Sequence, residues 1–194
     1  MEQMKIVCIG NSIINGFPLK RSQCFVSLWR QATDHEIINK GENGDVTSKV
    51  IVRFEKNVML HKPDAAVVLT GTNDFIYQVA SPEEVLGFID RMVSLSREHS
   101  VRIILMTPLL LYAPLAEKCW IPDVDYPLVN EKLKKLCGLM LDYGEKNDIE
   151  IINTQERFLR LYTEENAAEY LCDGLHPTAL GHEAIAGFLQ DFSL

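Results

Sequence analysis

Five short runs of this chain, residues 5–9, 36–39, 65–70, 102–107 and 150–153, are apolar without alternation. A half-exposed antiparallel strand alternates apolar with polar side chains, because successive side chains point to opposite faces. These runs lack that period, as strands covered on both faces do. Between them apolar residues recur at helical spacing: Phe25, Trp29 and Ala32; Val50, Phe54 and Val58; Val85, Phe88, Ile89, Met92 and Val93; Val129, Leu133, Leu136 and Met140; Leu180, Ala184, Ile185, Phe188 and Leu189. Ser81-Pro82-Glu83-Glu84 reads as a helix start, with a serine cap, a proline in the first turn and acids at the positive end of the macrodipole. Strand alternating with helix predicts an α/β fold, a parallel sheet with helices on both sides. In such sheets the chemistry gathers at the carboxyl ends of the strands.

The 194 residues suit one domain spanning 1–194, because no linker, repeat or low-complexity tract divides them. The longest stretch read as irregular is 108–127, which is apolar and aromatic for a loop. With 27 acidic against 19 basic residues the net charge is −8, which argues against nucleic acid and anionic lipid as partners. No apolar run approaches the length needed to span a bilayer. The first residues lack the apolar core and cleavage site of a signal peptide, so a cytoplasmic protein is expected. Cys8, Cys24, Cys119, Cys137 and Cys172 are scattered without Cys-x-x-Cys pairing. They are expected to be reduced thiols rather than a disulfide framework or a zinc site.

Four clusters remain at the strand ends and before the last helix: Gly10-Asn11-Ser12-Ile13, Asn39-Lys40-Gly41-Glu42-Asn43-Gly44-Asp45, Gly71-Thr72-Asn73-Asp74 and Asp173-Gly174-Leu175-His176-Pro177. Ester hydrolysis by serine needs a hydroxyl, a base, a group orienting that base, and donors for the developing oxyanion. The clusters supply each part once. Ser12 presents the hydroxyl, His176 accepts its proton, and Asp173 orients the imidazole. The backbone N–H groups of Ser12 and Gly44 and the side-chain amide of Asn73 are expected to form the oxyanion hole. A glycine at 44 lets backbone approach substrate without an intervening side chain. Singly these are weak signals: a strand-end serine is commonly a turn or cap, Gly44 a turn glycine, and Asp74 a cap for the helix that follows it. Their combination in this order is the informative feature.

On these residues the chain resembles the SGNH hydrolases, also called GDSL esterases and lipases, over residues 10–176. Ser12 stands at the family's nucleophile, Gly44 at the second glycine of Asn-x-Gly-x-x-Gly-Asp, Asn73 at the asparagine of Gly-x-Asn-Asp, and Asp173 and His176 in Asp-x-x-His-Pro. The resemblance implies a flavodoxin-like three-layer α/β/α sandwich with a five-stranded parallel sheet. It also implies a metal-free acyl-enzyme mechanism on esters or thioesters; the expected partner is a small-molecule ester, and no cofactor is expected. One departure is Asn11, where the family usually has aspartate; asparagine keeps the size and hydrogen-bonding capacity without the charge.

Phe17, Phe75, Tyr77, Tyr112 and Trp120 are expected to line the substrate pocket, favouring short acyl chains. Leu109, Leu110 and Leu111, with Tyr112 and Trp120, are candidates either to cover it or to close the core. An acetylated sugar is the alternative substrate, since aromatic rings stack on sugars equally well. A ligand-binding protein that turns nothing over is the other alternative. Thr47, Ser48 and Ser81 read as helix-start hydroxyls. His35, His61, His99 and His182 lack an acid–hydroxyl partner in a motif, and His182 with Glu183 reads as helix surface. No His-x-His or His-Glu-x-x-His spacing points to a metal.

Overall fold

The computed structural model describes residues 3–121 and 123–190. Pro122 and both ends of the expected 1–194 domain lie outside the described residues. In chain order the elements are β1 (Lys5–Gly10), α1 (Ser12–Asn15), α2 (Phe25–Ala32), β2 (Glu36–Gly41), α3 (Thr47–Asn57), β3 (Ala65–Leu69), α4 (Thr72–Ile76), α5 (Pro82–Glu98), β4 (Arg102–Met106), α6 (Ala113–Cys119), α7 (Tyr126–Asn147), β5 (Glu150–Ile152), α8 (Thr154–Leu159), α9 (Ala167–Tyr170) and α10 (Ala179–Gln190). All five unalternating runs are strands, with ends shifted by at most two residues. They form one parallel sheet in the order β2-β1-β3-β4-β5.

The chain steps from β1 to β2 in one direction and then crosses back over β1 to β3. Right-handed crossovers therefore send the first connection to one face and the later ones to the other. Accordingly α2 packs with α10, and α8 with α10, while α3 packs on α5 and α5 on α7. Every residue of β3 is buried, as are Ile6 to Ile9 of β1. The point of reversal lies between β1 and β3, and there the loops splay apart to leave a crevice at the strands' carboxyl ends. Among the described residues no helix is long and apolar enough to cross a membrane.

The helix start at Ser81 is a capping box: Ser81 Oγ accepts the Glu84 N–H, and Glu84 Oε2 accepts the Ser81 N–H at 2.7 Å. The stretch 108–127 is not irregular throughout. It contains α6 and the start of α7, with Pro114 and Pro127 in the first turns, where a missing N–H leaves no intrahelical bond unmade. Prolines that read as breaks are helix starts.

His182 corrects another expectation. It is fully buried, and its Nδ1 accepts the Phe25 N–H at 3.2 Å. Cys24, the cap residue of α2, makes no side-chain capping bond, so α10 caps α2 across 157 residues of sequence. Of the expected apolar face Ile185, Phe188 and Leu189 are buried, but Leu180 is exposed, and Gly181, His182 and Ala186 join the inward side. Burial, with a smaller contribution from nearby His176, pushes the His182 pKa down from 6.5 to about 4. The unfolded chain therefore takes up a proton near 6.5 that the fold refuses until about 4. The stability contributed by the neutral ring is complete above the first value and lost as pH falls through the second. Thermal unfolding followed from pH 7 to 4 should show wild type losing Tm more steeply than His182→Gln over that window; parallel slopes would contradict a buried neutral ring.

Candidate active site

β1 ends at Gly10, which pairs with Gly41 on one side and Leu69 on the other. A Cβ there would stand 1.9 Å from the Leu69 carbonyl oxygen, so only glycine allows β3 to close against the strand end. Asn11 is buried and caps α1, its Oδ1 accepting the Ile13 N–H at 3.1 Å. The neutral amide thus performs the capping that a short polar side chain offers at this position. Ser12 follows as the first residue of α1, where the helix leaves its N–H without an internal partner.

The opposite side of the crevice is a tight loop before α10. Backbone bonds from Cys172 N–H to the His176 carbonyl and from Thr178 N–H to the Tyr170 carbonyl close it, with Leu171 bridging Pro177. Inside it Asp173 Oδ1 accepts the Leu175 and His176 N–H groups at 3.0 and 2.8 Å. This leaves Oδ2 for the His176 ring, 2.7 Å from Nδ1. The spacing of three residues places the carboxylate beside its own histidine because the aspartate makes the turn that brings them together. Burial raises the Asp173 pKa, but the hydrogen bonds and charge of His176 outweigh it, and the carboxyl lies below its ordinary value. An ionised carboxylate only accepts, so Nδ1 carries the proton and Nε2 is an acceptor. Ser12 Oγ lies 3.0 Å from that Nε2. Phe17 and Trp120 meet the imidazole edge-on, with centroids 4.9 and 5.7 Å away, and limit its rotation.

The loop after β2 supplies Asn43 and Gly44, and α4 supplies Asn73. Gly44 has φ +77°, which glycine tolerates best, and a Cβ there would meet only the Tyr77 hydroxyl, 3.9 Å away. Asn73 Nδ2 donates to the Asp45 carbonyl at 2.8 Å, which leaves its second amide hydrogen free to point elsewhere. Asp74 does not cap the helix that follows it. Both its oxygens accept the Thr47 N–H, and Oδ2 also accepts the Thr47 hydroxyl, so α4 caps the start of α3. Burial raises the Asp74 pKa, opposed by those Thr47 bonds.

Ser12, Gly44, Asn73 and His176 line one cavity of about 130 Å³, together with Phe17, Asn43, Tyr77 and Trp120. Two of the expected pocket residues lie elsewhere. Phe75 is buried in the core, on the inner side of α4. Tyr112 sends its hydroxyl to the Glu164 carbonyl and its ring against Tyr162. It reaches the site only through its backbone N–H, which donates to the Gly174 carbonyl. Leu109, Leu110 and Leu111 are core residues rather than a cover. Asn43 was missed as a lining residue, although it belongs to a cluster the sequence singled out. A larger groove of about 480 Å³ runs along α2 and β2, but no histidine or carboxylate stands beside its serines. Among the described residues no group of three or more His, Cys, Asp or Glu is placed to hold a metal ion.

This geometry can be set beside known proteins. The chain is 24% identical over 165 residues to an acetylxylan esterase of Geobacillus stearothermophilus, covering 80% of this chain and 71% of that protein. It is 23% identical over 107 residues to an arylesterase of Vibrio mimicus, covering 53% of each; the chain thus spans about half the length of that relative. A crystal structure of a member of the lipolytic protein G-D-S-L family from Veillonella parvula superposes with a TM-score of 0.81 at 16% identity, covering 96% of both chains. The model of the GDSL-like lipase/acylhydrolase family matches residues 8–184, and the chain belongs to that family of hydrolases.

Proposed function

We propose that the protein hydrolyses carboxylic esters of small acyl groups, with Ser12 as nucleophile, His176 as general base and then acid, and Asp173 as the group that orients it. The observation that carries this reading is the unbroken hydrogen-bonded chain Ser12–His176–Asp173, opening onto a cavity that Gly44 and Asn73 also line. Ser12 Oγ attacks the ester carbonyl as its proton passes to His176 Nε2, forming a tetrahedral adduct. The Ser12 and Gly44 N–H groups and the Asn73 amide donate to the oxyanion. Collapse of the adduct transfers the proton from Nε2 to the departing alcohol and leaves Ser12 acylated. Water then repeats the sequence against the acyl-enzyme, releasing the acid and restoring the serine. Asp173 remains ionised throughout, so the imidazolium is stabilised without the carboxylate taking a proton.

The size of the cavity bears on the acyl group. At about 130 Å³ it is well below the ~300–1,000 Å³ of pockets that enclose drug-sized ligands, and suits acetyl or a slightly longer chain. The alcohol half then lies outward, against Phe17 and Tyr77, which are about half exposed, and Trp120. Such faces stack on sugar rings as they do on other apolar surfaces, and the similarity to an acetylxylan esterase adds weight to an O-acetylated carbohydrate as the alcohol half.

Replacing Ser12 by Ala should lower kcat on p-nitrophenyl acetate by ~10³-fold or more while leaving Tm near wild type, because the three residues act as a unit. A Ser12→Ala protein hydrolysing at the wild-type rate would end this mechanism. Across acetate, butyrate and octanoate esters, kcat/KM should fall steeply beyond butyrate; equal values for octanoate and acetate would contradict a closed acyl pocket.

A further inference from the structure

Arg53 lies on α3, away from the four clusters, yet its side chain is largely buried and its guanidinium bonds to two of them. Nε donates to the Asp45 carboxylate at 2.7 Å, Nη1 to the Lys40 carbonyl at 2.7 Å and Nη2 to the Gly10 carbonyl at 2.8 Å. Glu42 stands 3.8 Å from Nη1, and its backbone N–H also donates to the Gly10 carbonyl. Gly10 leads directly into Asn11 and Ser12. Lys40 and Asp45 bracket Gly44. One planar cation therefore ties the strand end that carries the nucleophile to both sides of the loop that carries the second oxyanion donor.

We infer that Arg53 is the positioning residue of the oxyanion hole, holding the Ser12 and Gly44 N–H groups at the separation needed to converge on one oxygen. This rests on the reading of Ser12 and Gly44 as oxyanion donors. Two N–H groups on separate loops stabilise an oxyanion only if both reach the same point within a few tenths of an ångström. Besides the β1–β2 ladder, which ends at Gly10 and Gly41, the loops are tied among the described residues by the Glu42 N–H to Gly10, Asn15 Nδ2 to the Asn43 Oδ1, and Asn39 Nδ2 to the Ile14 carbonyl. From α4, Asn73 and Asp74 hold the Asp45 carbonyl and Thr47 N–H but do not reach the nucleophile strand. Only a guanidinium has donors in a rigid plane that reach three acceptors in different directions; an ammonium keeps the charge but bonds from a single nitrogen.

The distinction between positioning and mere support lies in which binding energy is lost. Arg53→Lys keeps a cation for buried Asp45 and so separates position from charge; Arg53→Ala leaves that carboxylate unpaired and tests the extreme. Wild type and both variants should be compared for kcat and KM on p-nitrophenyl acetate, for inhibition by a small alkylboronic acid, whose tetrahedral adduct on Ser12 places an oxygen among the same donors, and for Tm. Arg53→Lys should keep its Tm within a few degrees, lose about tenfold to 10²-fold in kcat with KM little changed, and lose boronate affinity by a similar factor. Added guanidinium ion should recover part of the kcat of Arg53→Ala. If that variant does not fold, the lysine variant decides the matter alone. A lysine variant with wild-type kcat and boronate affinity, or one that raises KM at unchanged kcat, overturns the assignment of Arg53 while leaving Ser12 and His176 in their roles. A wild type that neither hydrolyses the ester nor binds the boronate overturns the oxyanion-hole reading itself, and this assignment with it.

Discussion

β1 is paired on both sides along its length, and at its last residue three chain segments meet with no room for a side chain. Gly10 lies against the Leu69 carbonyl of β3, across from Gly41 of β2, and its own carbonyl accepts from Glu42 and Arg53. Because the sheet reverses its strand order at this strand, the loops after β1, β2 and β3 all emerge around that junction. Ser12, the proposed nucleophile, and Gly44 and Asn73, the other proposed oxyanion donors, follow within four residues of those strand ends. A looser junction would spread them apart. The close approach is thus a constraint on folding and a device for placing the site.

Polar satisfaction inside this junction repeats one pattern, in which side chains cap elements they do not belong to. Asp74 of α4 caps α3, His182 of α10 caps α2, and Arg53 of α3 takes up carbonyls at the ends of β1 and β2. Each buried N–H or carbonyl left without a partner would cost on the order of 1–3 kcal/mol, so these long-range bonds knit the loops into one unit. The Asp173 loop works the other way. It is built almost wholly from contacts within eight residues, so the carboxylate and imidazole arrive together as a preformed pair.

That contrast explains what the sequence reveals. The strands were legible because burial on both faces removes the period-two pattern, and Asp173 with His176 were legible because their geometry is local. Ser12, Gly44 and Asn73, which line one cavity, stand out in the sequence by their place at strand ends. Arg53 and His182 do not stand out, since each looks like an ordinary helix residue, and their bonds to Gly10 and Phe25 cross 43 and 157 residues of sequence. The pocket walls were only partly readable. Phe75 and Tyr77 are two positions apart at the same helix end, yet one turns inward to the core and the other outward to the cavity. Composition cannot make that choice. The prolines of 108–127 misled for a similar reason: the same residue that ends one helix begins another.

In the proposed mechanism Ser12 carries the acyl group between two half-reactions. Acid quenching of the wild-type protein within the first turnover of excess p-nitrophenyl acetate, at low temperature, followed by peptide mass spectrometry, reads the acylated residue. One acetyl group is expected on the peptide containing Ser12, absent from Ser12→Ala. Acetylation at another residue in step with turnover, or turnover with Ser12 never acylated, would contradict it.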